Sequence, residues 1–370
     1  MIKMPAATEY LDDFTRAGAL ALIRRARRDG HWIAPRLAPG PHDSLADVPG
    51  VRVGHTTLDQ GGVQTGCTAI DFGAEPLIRP LPCGTAVFNG FAKPVGLTQL
   101  TELGELSGPI LLGNTYSIGA LFDAAIRWAT LRQPSLGREA ATFNPVALEC
   151  NDGYLNDLQA QAIDQRHALA AIDQATAGFT RGAVGAGRGM SSFGVKGGIG
   201  SASRLASAAG HRWCVGALVL ANFGRARDFT LDGVRLGPWL AARLGSPNRE
   251  PPEKGSIIVV LGTDAPLDPR RLSRLARRAG IGIGRCGACW GHGSGDIALA
   301  VSVADQAPPL ADETLDELFQ AAADATEAAI VDALTQAQAV VGFRQHRRES
   351  LSDLLEELAA ELTLSTGETP

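Results

Sequence analysis

Residues 255 and 256 pose the first chemical question in this 370-residue sequence. Gly255 and Ser256 stand between a polar, proline-rich stretch, SPNREPPEK at 246–254, and the apolar run IIVVL at 257–261. A small hydroxyl at the mouth of a buried strand is either the place where the strand begins or a nucleophile that becomes a new N-terminus. Ser294 and Asp296 lie in GHGSGD at 291–296, which reads equally as an ordinary glycine turn or as a polar pair at a second strand mouth. Asn222 ends the apolar run WCVGALVLA. A side-chain amide there can donate to an oxyanion, and it is also a common turn residue. The seven histidines are scattered, and His292 has no evident second base or ligand beside it. A catalytic serine in this chain is therefore expected to be activated by something other than imidazole. Cys286 and Cys289 form a CxxC without a second ligand pair, so the six cysteines read as structural thiols of a reducing cytoplasm and no metal site is expected. GAGRG at 185–189 runs on into more glycine instead of a helix, which suits close backbone packing or a pocket wall better than a helix on pyrophosphate.

The elements that must carry these residues follow from composition and periodicity. A net charge of −5 gives no reason to expect nucleic acid as a partner. No run reaches the roughly 18 apolar residues of a membrane span. Near the N-terminus Asp12 and Asp13 precede the apolar residues 17–23 and four arginines follow them, the reverse of a secretion signal. Residues 1–23 are expected to form a short amphipathic helix that serves as an oligomer contact, and the protein is expected in the cytoplasm. Strands are expected at 51–58 and 63–72, joined as a hairpin, and at 85–89, 109–113, 145–149, 213–221, 256–261 and 296–304. Helices are expected at 117–132 with Ser117 as cap, 156–177 with Asn156 as cap, 268–279, 311–337 and, as an acidic tail with a frayed end, in 351–370. Strands cluster and helices come in pairs between them, so an α+β arrangement of two sheets with helices outside fits better than a doubly wound sheet.

Taken in order, DVPGVRVGHTTL (47–58), GCTAI (66–70), GNTYSIG (113–119), NDGYLND (151–157), KGGIGSASR (196–204), VGALVLANFG (215–224), GSIIVVLGTDAPL (255–267) and GSGDIALA (293–300) resemble the P1 family of self-processing serine aminopeptidases, peptidase family S58. That family includes L-aminopeptidase/D-amino-acid esterase-amidases and β-peptidyl aminopeptidases. The resemblance spans roughly residues 25–342. It implies a four-layer αββα sandwich, like that of N-terminal nucleophile hydrolases but with different connectivity. It divides the chain into an extension (1–24), one catalytic domain (25–345) and a tail (346–370).

The resemblance also implies cleavage between Gly255 and Ser256 and a homo-oligomer of αβ units, with a tetramer as one candidate size. The Ser256 hydroxyl would attack the Gly255 carbonyl, giving an ester that water opens while the polar loop before it moves aside. The freed amine, with a reference pKa near 7.7–8.0, would then act as base for its own hydroxyl. Asn222 matches the oxyanion-hole asparagine, and Ser294 with Asp296 the pair that hydrogen-bonds the nucleophile and its amine. Glu149 and Asn151 match the segment near the substrate's free amine, and Asn114 the pocket region. The implied substrates are short peptides, amino-acid amides or esters, with no cofactor. The chain departs from the family in having Asp296 where some β-peptide-cleaving members have Glu, and Asn151 where some have an aromatic. VVGFRQHRRES replaces a small Gly-His segment, and the N-terminal extension is unusual. Two alternatives stay open: an acyltransferase of related fold, and an unprocessed, non-catalytic scaffold.

Overall fold

Past Ser256 every residue to Thr263 is buried, so this strand needs cover on both faces. Ile257, Val259 and Leu261 point one way and Ile258 and Val260 the other, and the two sets enter different cores. The computed structural model describes residues 7–73, 75–245, 255–304 and 308–366. The stretch 246–254, expected as a movable polar loop, and the extreme tail lie outside the described residues.

Among the described residues the strands are β1 (Arg52–Gln60), β2 (Val63–Asp71), β3 (Leu81–Gly90), β4 (Glu105–Leu106), β5 (Ile110–Asn114), β6 (Val146–Cys150), β7 (Ser191–Ser192), β8 (Val195–Lys196), β9 (Gly198–Ala208), β10 (His211–Asn222), β11 (Ser256–Thr263), β12 (Gly295–Ser302), β13 (Val340–Val341) and β14 (Arg347–Arg348). The α-helices are α1 (Asp13–Asp29), α2 (Leu97–Leu103), α3 (Ile118–Arg132), α4 (Gln165–Asp173), α5 (Gly237–Arg243), α6 (Pro269–Ala276), α7 (Ala279–Arg285), α8 (Asp316–Thr335) and α9 (Leu351–Thr366). One sheet runs β1-β2-β5-β6 and the other β4-β3-β12-β11-β10-β9. Pairing is antiparallel except for β5–β6 and β11–β12.

Three cores separate four layers. Cys67, Ala69 and Leu111 pack outward against Leu121 and Ala125 of α3 and Ala168 and Ala171 of α4. Val53, Ile70 and Leu148 face Leu218, Leu220, Ile258, Val260 and Leu299 across the seam between the sheets. The far face of the larger sheet, with Val219, Val259 and Ala298, lies under α6, α7 and α8. Burial of these apolar faces is the dominant favourable term, and the result is the expected αββα sandwich.

Several expectations are corrected. The glycine-rich segment at 196–204, where no strand is expected, leads into β9, an eleven-residue strand. Its small residues let α8 lie close, since a Cβ on Gly200 would overlap the Ala329 carbonyl of that helix. The long helix expected at 156–177 is a single 3-10 turn, Leu158–Ala160, followed by α4. Gln161 adopts a left-handed φ of 44°, and the α4 cap is Asp164, not Asn156. The Asn156 side chain instead accepts from the Gln64 N–H and donates to Asp152. Ser117 gives no side-chain cap to α3. The N-terminal helix runs to Asp29, well past residue 23. The C-terminal α9 is anchored by Leu351, Leu355, Leu358 and Leu362 in the helical core.

His55 marks an acid-sensitive joint. Its Nε2 lies 3.0 Å from the Thr180 carbonyl and its Nδ1 2.9 Å from the Thr68 hydroxyl. A carbonyl only accepts, so Nε2 carries the proton and Nδ1 accepts. Burial lowers its pKa to about 4, against roughly 6.5 in an unfolded chain. The folded state thus binds fewer protons between those values. Its stabilising share is full above pH 6.5 and is lost as pH falls towards 4. His55→Gln should flatten the fall in urea midpoint over that window, and an unchanged slope would remove His55 from the acid response.

Candidate active site

Three central strands of the larger sheet end at the same edge. Asn222, last in β10, is the register partner of Ser256, first in β11, and Ser256 is in turn the partner of Gly295, first in β12. By strand alternation Ser256 shares a face with Ile258 and Val260, and Asn222 with Leu218 and Leu220, so both side chains emerge at the end of the seam between the sheets. Gly255 meets the backbone here: a Cβ on it would overlap the Asn222 carbonyl and crowd Phe223.

The Gly295 N–H is shared. It lies 3.2 Å from the Gly255 carbonyl oxygen and 3.1 Å from Ser256 Oγ. One backbone donor therefore polarises the carbonyl before Ser256 while touching the hydroxyl beside it. Next to Gly295, the Ser294 hydroxyl donates to Asp296 Oδ1 at 2.7 Å, and both residues are buried. The turn is held by Asn89, whose two amide N–H bonds are shared among the carbonyls of Gly291, His292 and Ser294.

The Asn222 amide has a fixed orientation. Its Oδ1 accepts from the Ser191 N–H at 2.8 Å and its Nδ2 donates to the Asn151 carbonyl at 3.0 Å. An amide carries two N–H bonds, so one is left to donate elsewhere. Asn151 thus bears on the site through its carbonyl, its own Oδ1 being held by the Gly153 N–H. The segment that presents Ser191 is gathered by Lys196, whose buried ammonium donates to the carbonyls of Gly187, Met190 and Gly197 at 2.9, 2.7 and 2.7 Å. Burial pushes the Lys196 pKa well below its usual range. Three carbonyl acceptors require three N–H bonds, so the geometry favours the charged form. Nearby Asp152, raised by burial to about 7, accepts from Thr65 and Asn156.

Ser256 opens onto a cavity of about 720 Å³ whose wall includes Gly255, Glu149, Asn151, Lys93 and Arg225. Glu149 is 2% exposed, and its carboxylate accepts from the Lys93 N–H and the Thr115 hydroxyl. Both donors are neutral, so a negative charge faces the cavity and suits a cationic group such as an amine. Beside the cavity wall at Thr115 stands Asn114. Its Oδ1 accepts from the N–H groups of Tyr116 and Ser117 at the start of α3, and its Nδ2 donates to Thr65. Cys289 lines the cavity as a free thiol and Cys286 is a buried one. No cluster of metal-ligating side chains occurs among the described residues.

Residues 43–348 match peptidase family S58. The chain belongs to that family. It is 36% identical over 346 residues to the β-peptidyl aminopeptidase BapA of Sphingosinicella microcystinivorans, covering 85% of this chain and 86% of that one. Among solved structures it is similar to the PH0078 protein of Pyrococcus horikoshii OT3, with a TM-score of 0.83 and 38% identity over 93% of this chain and 99% of that one. It is also similar to the L-aminopeptidase D-Ala-esterase/amidase of Ochrobactrum anthropi, described as a variant among the Ntn hydrolase fold. There the TM-score is 0.79 with 33% identity, over 90% of this chain and 97% of that one. The S58 chain described here is therefore an aminopeptidase of the Ntn-like fold.

Sequence reasoning missed Gly295, Asn89, Ser191, Thr115, Lys93 and Arg225. Gly295 and Ser191 act through backbone N–H groups, which carry no residue-type signal. The others are brought to the site by pairing between distant segments.

Proposed function

We propose that this S58 aminopeptidase activates itself by cleavage between Gly255 and Ser256 and then uses Ser256 as an N-terminal nucleophile. The observation that carries this is the Gly295 N–H held between the Gly255 carbonyl and Ser256 Oγ at the floor of a cavity walled by Glu149. Ser256 Oγ adds to the Gly255 carbonyl carbon, the Gly255–Ser256 C–N bond breaks, and the nitrogen takes the proton. The break leaves the Ser256 α-amine free, and water then hydrolyses the resulting ester to release the Gly255 carboxylate and the Ser256 hydroxyl. That amine, with a reference pKa near 7.7–8.0, takes the hydroxyl proton in each later turnover.

In turnover the substrate's amine sits by Glu149 and its scissile carbonyl over Ser256, with the spare Asn222 N–H on the developing oxyanion. Ser294 and Asp296 orient the freed amine. An acyl-enzyme forms on Ser256 and water releases the N-terminal residue from a short peptide, amide or ester. The two fragments stay together because β10 and β11, which lie on either side of the cut, pair from Val215–Thr263 to Asn222–Ser256. The assembly proposed is a homo-oligomer of such αβ units.

Alanine p-nitroanilide should be turned over, and its N-acetyl derivative about 10²-fold more slowly or not at all, because a site built for a polar group rejects the analogue that lacks it. Equal rates on the two would remove Glu149 from amine recognition.

A further inference from the structure

The cavity at Ser256 holds more positive charge than the amine-binding half of a substrate can use. Glu149 supplies its buried carboxylate, while Lys93 and Arg225 line the same space. Lys93 serves Glu149 only through its backbone N–H. Its exposed ammonium lies 5.2 Å from the centre of the Phe91 ring, and among the described residues no carboxylate pairs with it. Arg225 is already engaged by Asp228, with Nε 2.6 Å from Oδ2. Lys93 is therefore the less compensated of the two cations. Neither would welcome a substrate's ammonium, which leaves a carboxylate as the matching group. Two extended residues span about 7 Å, which fits a cavity of about 720 Å³. A dipeptide with its amine at Glu149 and its peptide carbonyl at Ser256 thus has its far end within the same cavity.

We propose that Lys93, seconded by Arg225, forms a carboxylate-recognising subsite on the leaving-group side. The enzyme then selects short peptides that carry a carboxylate just beyond the scissile bond. This rests on the aminopeptidase function proposed above. The shared chemistry is a carboxylate, supplied by the chain terminus of a dipeptide or by an acidic side chain.

The test compares kcat/KM for Ala-Ala, Ala-Ala amide and Ala-Glu amide, with alanine p-nitroanilide as the reference, in the wild type, Lys93→Met and Lys93→Arg. An exposed ion pair is worth up to about fivefold, so Ala-Ala should exceed its amide by about that factor, through KM. The preference should shrink as salt is raised. Lys93→Met should bring the acid-to-amide ratio close to one and Lys93→Arg should keep it. Ala-Glu amide matching Ala-Ala would point to any carboxylate in reach, and matching Ala-Ala amide to the chain terminus. Equal rates for acid and amide in the wild type, or a ratio that survives Lys93→Met, would overturn the subsite. If alanine p-nitroanilide is turned over in either case, the subsite alone fails. If nothing is turned over, the aminopeptidase function fails with it.

Discussion

Ser256→Ala is expected to leave one uncut chain of 38.6 kDa with no measurable turnover of amino-acid p-nitroanilides. Both losses follow from one atom. In the proposed mechanism the hydroxyl beside the Gly295 N–H adds to the Gly255 carbonyl, and the same hydroxyl receives the acyl group in turnover. Removing a catalytic nucleophile costs about 10⁶-fold in kcat, which reduces the signal to background. The fold should survive, because Ser256 is a small residue at a strand end and the pairing of β11 with β10 and β12 is made by the backbone. A folded Ser256→Ala protein that still cuts itself or still turns over substrate would place the nucleophile elsewhere.

The second large effect is at Asn222. Asn222→Ala in the processed enzyme should lower kcat by about 10²–10³-fold with little change in KM, the loss found when one oxyanion donor is removed. Self-cleavage should suffer less, because the Gly255 carbonyl already has the Gly295 N–H. The substitution also strands the Ser191 N–H that Asn222 Oδ1 accepts. Leaving this part-buried donor unsatisfied costs at most about 1–3 kcal/mol, visible as a lower melting temperature. A kcat loss below tenfold in a folded, processed variant would take Asn222 out of the oxyanion role.

Much of the architecture was legible where apolar runs were unbroken. The β11 run and the β1–β2 hairpin stand close to where periodicity puts them, and the two-sheet sandwich follows from them. The β9 strand was hidden because Gly, Ser and Ala carry little strand propensity. Its sequence answers to the close approach of α8 at Gly200. The long helix at 156–177 failed for a related reason: buried partners claim the Asn156 side chain, and Asp164 offers a better cap. At the site, Ser256, Asn222 and Glu149 were legible as residue types in a recognisable order of motifs. Asn114, one residue before the cavity-lining Thr115, uses its side-chain oxygen in starting α3. Gly295 and Lys93 could not be found at all, since their parts depend on which strand ends meet at one edge.

The most direct measurement is the intact mass of the wild-type protein under denaturing conditions, with N-terminal sequencing of whatever chains appear. Self-cleavage before Ser256 predicts two chains, the smaller beginning Ser-Ile-Ile-Val-Val. A single full-length mass after prolonged incubation, in a preparation that nonetheless turns over alanine p-nitroanilide, would contradict it.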